Sequence, residues 1–517
     1  MPSSFKRFAV HGLDRGLRGK ESDAKVGDGF LIAGQNLRFI RGSFYKRPGL
    51  HNTGAAALSG RVQKFFDYYN LARQQFPMCI TTTTLYTLSG GVWTAVGGAG
   101  SGLTGAITII PQFAVFSGNL ICVNGVNAPF EWTGSGNATA LTGGAPQTAA
   151  YILNYGSHLI LGSPTLSGGI LKPQRLMWSD FANENQWASG DAGFFDFSDT
   201  SDVMIQLATF GDYGIVVKNR SIWLITATAS PIFYLFDKRV DVAGSICTGS
   251  VQVIPTGIIY LGDDGMVYLF NGVASQAIGE AVWPLWRGNI PYANIQNCVS
   301  AVDPLRGEYL CWVNYGGSTD NSAAMVYNYY EGTFSFDTTA ITGAGTIANL
   351  TNVTWNLLTQ GWNTYGQTWT ASEFAAGQPL VYCSQGTNVL YMSADLNDLG
   401  TTPINASATL PLRHFDKSDP TRLEIVRAVA IFYQSTGTSA PLTVQLGYTN
   451  FDDQTQVNYL AAATVDQSQA GKIIAYFDDV PSIFHTVQLS NNVLNQNMKV
   501  TGVVYYVKSR GPALGAP

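Results

Sequence analysis

Between Arg306 and Arg413 the chain contains no lysine or arginine, although seven acidic residues fall in that interval. Charged side chains make up only 12% of the 517 residues. A body so poor in cations excludes tight nucleic-acid binding over most of its length, because duplex affinity comes largely from Lys and Arg displacing counterions. A negative wall instead lets a polyanion slide past. Long segments with apolar residues at helical spacing are also missing. The run "AITIIPQFAVF" is too short to span a bilayer and is interrupted by Pro111 and Gln112, so no stable membrane insertion is expected. The first thirty residues carry scattered charges and no apolar stretch of the secretory kind.

Signatures of chemistry are absent too. There is no P-loop, no H-E-x-x-H and no G-x-S-x-G. His11, His51, His158, His414 and His485 have no ligand-like spacing. "GSGLTG" at 100–105 matches a phosphate-binding glycine pattern, but strand-like "AITIIP" follows it where a helix N-terminus is required. Adjacent acids such as Asp263–Asp264 and Asp478–Asp479 point to opposite faces of a strand, so they do not make a glycosidase pair. The six cysteines form no C-x-x-C pair and lie mostly in apolar runs, which predicts reduced, buried thiols and synthesis in a reducing cytoplasm. The expectation is a protein that is not an enzyme, with no cofactor and no metal.

Fifty-six glycines, 25 tyrosines, 27 phenylalanines and 11 tryptophans, with abundant Thr and Asn, favour strands and tight turns. Seven short runs repeat one pattern, a turn residue followed by three to five apolar residues. They are "PMCI" at 77, "NLICV" at 119, "HLILG" at 158, "GIVVK" at 214, "GIIYL" at 257, "EYLCWV" at 308 and "PLVYC" at 379. Their spacing centres on 40–50 residues, the period of propeller blades of about four strands each. The fold class predicted is all-β: a β-propeller of six or seven blades over 61–400, with stacked β-sandwiches as the alternative. Residues 401–517 alternate apolar and polar positions between turn clusters, which predicts a C-terminal antiparallel β-sandwich. An uncharged segment, 338–372, carries Trp355, Trp362 and Trp369 at seven-residue spacing. Its Gly, Thr and Asn content argues against a helix and leaves a packed loop or an interface or channel-lining feature.

Positive charge is concentrated at the start. Residues 1–73 hold 13 Lys/Arg against 5 Asp/Glu, and the remainder holds 16 against 29. Within "NLRFIRGSFYKRPGL" from Asn36, a turn at Gly42–Ser43 would place Arg38 opposite Arg47. That repulsion of about 0.2–1 kcal/mol is relieved only by an anion from elsewhere. Residues 1–60 are therefore expected to form a basic docking arm and hairpin, with Arg38, Arg41, Lys46 and Arg47 contacting a partner. The alternative is a solvated edge strand protected by its charges.

Several of these stretches resemble the tail nozzle proteins of short-tailed bacteriophages, also called tail tubular or packaged-DNA stabilisation proteins. "DGFLIAGQNLRFIRGSFYKRPGL" resembles their opening, with its Asn-hydrophobic-Arg strand, Gly turn and Lys-Arg-Pro-Gly ending. "LMWSDFANENQW" at 176–187, the Trp repeats from 354 and the closing "FHTVQLSNNVLNQNMKVTGVVYYVK" are similar to other parts of that family. The resemblance implies a structural virion protein assembled in the host bacterial cytoplasm. It implies a homohexamer below the portal and the adaptor, with tail fibres or spikes as further partners, that retains packaged double-stranded DNA and forms its ejection channel. Arg38, Arg41, Lys46 and Arg47 would then dock to the adaptor or a neighbouring subunit. Two rivals share the fold: a carbohydrate-binding or glycan-degrading virion propeller, and a protein-binding scaffold propeller.

Overall fold

The computed structural model describes the whole chain except residues 1–4, 200, 231, 242–243, 319, 350–376, 420, 434–440, 452–455, 467–470 and 513–517. The described residues form seven four-stranded antiparallel blades and a two-sheet sandwich. The fold is an all-β propeller with seven blades, the upper of the two expected counts.

Blades one to six take residues 62–95, 112–140, 151–196, 204–241, 252–277 and 299–337 in chain order. Each repeated run lies in the second strand of a blade, where both faces are covered by neighbouring blades. The second strand of blade six, Glu308–Asn314, is buried at every position. Burial on both faces explains why these strands read as continuous apolar runs rather than as alternating ones.

Blade seven is composite. Three of its strands, Gly343–Ala348, Pro379–Gln385 and Asn388–Ser393, come from the end of the repeat region. Its outermost strand is Gly49–Asn52, supplied from near the N-terminus and paired antiparallel with Asn388–Ser393. The ring closes where Ala344 of blade seven bridges Lys64 of blade one in parallel. Gly343 permits that approach, since a Cβ there would stand 2.7 Å from Val62 O.

Numbering from the N-terminus, β1 is Lys6–His11, β2 Ala33–Gln35, β3 Leu37–Ile40, β4 Ser43–Lys46 and β5 Gly49–Asn52. The separate arm expected for residues 1–60 does not exist as a unit. β1 and β4 pair with the strand Val500–Pro512 in one sandwich sheet, and β2 pairs with Ala406–Thr409 in the other. β5 belongs to the propeller. The segment is a strap shared by both bodies because its apolar residues, Leu13, Leu17, Leu31, Leu37, Phe39 and Phe44, are almost wholly buried. They join one continuous core with Trp286 of the short helix between blades five and six, with Phe334 of blade six and with Val429, Ile431 and Val503 of the sandwich.

A second correction concerns the cysteines. Cys247 and Cys298, 51 residues apart, form a disulfide where the chain passes into blades five and six. Cys79, Cys122, Cys311 and Cys383 are free and buried, as expected. The paired two are brought together only by the ring, so no local spacing announced them.

Candidate functional site: the joint and the axial bore

The motif from Asn36 to Gly49 builds the joint between propeller and sandwich. Its hairpin turn is Arg41–Gly42, with φ of 47° and 79°, the left-handed pair that a two-residue type I′ turn demands. The turn lies one residue earlier than expected, which moves each pairing by two residues: Arg38 faces Tyr45, and Leu37 faces Lys46. The opposed arginines of the expected hairpin are therefore not formed.

Arg38 and Arg47 both point into protein. Arg38 is 3% exposed. Its Nη1 and Nη2 donate to both oxygens of Asp337 at 2.8 and 2.7 Å, and its Nε donates to Glu308 Oε1 at 2.8 Å. Both acids belong to blade six. Burial works against the guanidinium, but the two carboxylates outweigh it and its pKa is raised. Burial also pushes the Glu308 carboxyl up, against the pull of Arg38. The anions that the sequence called for are thus supplied by the chain itself.

Arg47 forks onto Asp398 at 3.0 and 2.5 Å and donates Nε to Asn36 Oδ1. Asn36, with φ of 57°, accepts from the Thr338 amide and donates to Thr338 Oγ1 and to Asn405 O. One carboxamide thereby ties blade six, the strap and the sandwich together. Lys46 Nζ reaches Asn491 Oδ1 at 2.5 Å, and burial, followed by the nearby Arg47, pulls its pKa down to about 8. Gly49 passes so close to residues 395–397 that a Cβ would meet Asp395 O at 2.7 Å.

Three of the four cations expected to dock, Arg38, Lys46 and Arg47, are therefore internal. Arg41 at the turn is exposed, and Arg61 pairs with Asp320 at 2.6 Å. Trp355, Trp362 and Trp369 lie outside the described residues, as does most of segment 338–372.

The first strands of all seven blades line a cavity of about 560 Å³ on the propeller axis. Sequence reasoning missed this bore. Its floor is a polar layer in which Lys64 Nζ and Gln206 Nε2 both donate to Gln112 Oε1 at 2.9 Å, while Gln252 Nε2 donates to Ser300. Below that layer the space shrinks to about 20 Å³, room for one water. The signal was a glutamine flanked by apolar or proline residues near the start of three inner strands, "PQF", "IQL" and "VQV". Among the described residues no group of three or more His, Cys, Asp or Glu is placed to hold a metal. No helix among them is long and apolar enough to cross a membrane.

The two bodies carry opposite charge. Residues 1–48 and 401–517 hold 18 Lys/Arg against 12 Asp/Glu, a net of +6. Residues 49–400 hold 11 against 22, a net of −11, and the two make up the chain's −5.

Fold and site together define the class: a seven-bladed β-propeller welded to a β-sandwich by its own N-terminal strap. No family profile and no curated protein matches the chain. Among solved structures it is similar to the extracellular domain of a hybrid two-component system from B. thetaiotaomicron. That match has 9% identity and a TM-score of 0.40, and covers 81% of this chain and 47% of that one, so the chain spans about half its length. It is also similar to the WD40 domain of Neurospora crassa Pan2, at 9% identity and TM-score 0.36 over 67% of this chain and 95% of that one. The WD40 β-propeller domain of Doa1 gives 8% identity and TM-score 0.37 over 66% and 96%.

Proposed function

We propose that this chain is a structural, non-catalytic subunit of a short-tailed bacteriophage tail. In this reading it is a nozzle protein that assembles as a homohexamer beneath the portal–adaptor complex, retains packaged DNA and forms the channel for its ejection. The observation that carries the reading is the charge separation between two bodies sharing one core. A rigid subunit with a +6 sandwich and a −11 propeller can present its cationic end to a head-proximal ring. Its cation-poor body can then face a polyanion without holding it. The opening motif that resembles the nozzle family supplies the weld that makes the subunit rigid.

Docking passes from the buried arginines to cations exposed on the sandwich side: Lys6, Arg7, Arg15, Lys25 and Arg41. The bore of a single propeller is closed by its glutamine layer, so DNA would travel between subunits, along the axis of the ring. The test is native mass spectrometry and electron microscopy of the purified chain, alone and with the adaptor. A sixfold ring is expected. A chain that stays monomeric on the adaptor, or closes with another symmetry, overturns the proposal.

A further inference from the structure

We propose that the axial bore of the propeller binds a small organic anion, with its charged oxygens on Lys64 Nζ and its body against Phe66 and Phe113. This inference does not depend on the tail reading. Lys64 is one of only 11 cations in residues 49–400, and the fold places it at the floor of the bore. Among the described residues it meets no carboxylate at ion-pair distance, and its one hydrogen bond is to the neutral Gln112. An ammonium has three donors, so two remain to be met in the cavity. Asp67 lines the same cavity, but its oxygens are taken by Gln75 Nε2 at 2.8 Å and the Ala348 amide at 3.0 Å. Burial pulls the Lys64 pKa down to about 8, the mark of an ammonium held away from bulk water without a counterion.

The surroundings select for an organic body over a bare ion. The rings of Phe66 and Phe113 stack at 5.2 Å and both line the bore. A volume of about 560 Å³ lies within the usual range for small-molecule sites, roughly 300–1,000 Å³, and the two rings supply an apolar surface in an otherwise largely polar lining. Carboxylate and phosphate monoester share the required chemistry, an oxyanion carried on an organic frame.

The test uses the full-length protein and limiting amine acylation read by mass spectrometry, because a lysine with a lowered pKa reacts readily near neutral pH. Millimolar glucuronate and glucose 1-phosphate are the two candidate protectants, with glucose and inorganic phosphate as controls. At least one organic anion should slow acylation of Lys64 severalfold while exposed Lys25 reacts as before, and which one does so separates carboxylate from phosphate. If neither protects, or if glucose or inorganic phosphate protects equally, the proposal fails. Calorimetry on Lys64→Met should show affinity for the protecting anion lowered about tenfold or more, and unchanged affinity also overturns it. Should that variant not fold, the protection experiment on the unaltered chain still decides.

Discussion

Replacing Arg38 by Met tests whether the strap is a weld. The guanidinium is the partner of two carboxylates, Glu308 and Asp337, that are 1% and 2% exposed. Removing one member of a buried ionic cluster leaves the others desolvated and unpaired, which costs about 3–5 kcal/mol. Equilibrium urea unfolding at neutral pH should show a loss of that size. Acid should then narrow the gap. The Glu308 carboxyl is already raised by burial and loses the opposing pull of Arg38, so the folded variant binds more protons than the unfolded chain. Its stability relative to the parent should therefore rise as pH falls from 7 toward 5. Replacing all three residues with apolar ones of similar volume should restore most of the loss, since burying an ion cluster gains little over good packing. A cost under about 1 kcal/mol for Arg38→Met, or a deficit indifferent to pH, refutes the reasoning.

Lys46→Met should leave thermal stability unchanged or raise it, because burial already opposes that charge and its partners are neutral amides and carbonyls. Reducing Cys247–Cys298, whose members are 51 residues apart, should destabilise the propeller by about 4 kcal/mol on the loop-entropy estimate; calorimetry with and without reductant measures it. His485 is buried, and burial with nearby His414 pulls its pKa from 6.5 down to about 4. The unfolded chain therefore binds the proton first, and stability should fall by about 3 kcal/mol as pH drops from 6.5 to 4. His485→Phe should remove that part of the acid sensitivity in pH-resolved melts.

The propeller was legible because its repeat is physical. Every second strand is covered on both sides, so each must be an apolar run, and "NLICV", "GIIYL" and "EYLCWV" show this directly. The role of the opening stretch was not legible. Arg38 reads as a free cation until Asp337, 299 residues away, is brought to it, and no local pattern encodes that meeting. The turn was placed one residue late, and the pairing therefore two residues out, because Gly42–Ser43 was taken as the turn, whereas Arg41 tolerates a left-handed backbone beside Gly42. The bore residues carried a faint signal. Gln112, Gln206 and Gln252 each sit at or near the start of an inner strand, but only ring closure gives that coincidence a meaning.

Blade seven is finished by residues made long before its other three strands. A ribosome releases Gly49–Asn52 long before Asn388–Ser393 exists to receive it, so this piece must wait while six sheets form around a gap. The same delay holds for Arg38 and its two acids. A prematurely terminated product therefore has an open ring, an unanchored N-terminus and bare strand edges, the features that quality-control proteases and chaperones engage. Closure of the ring thus depends on two segments far apart in the chain, and a chain stopped before Ser393 lacks the edge that receives Gly49–Asn52.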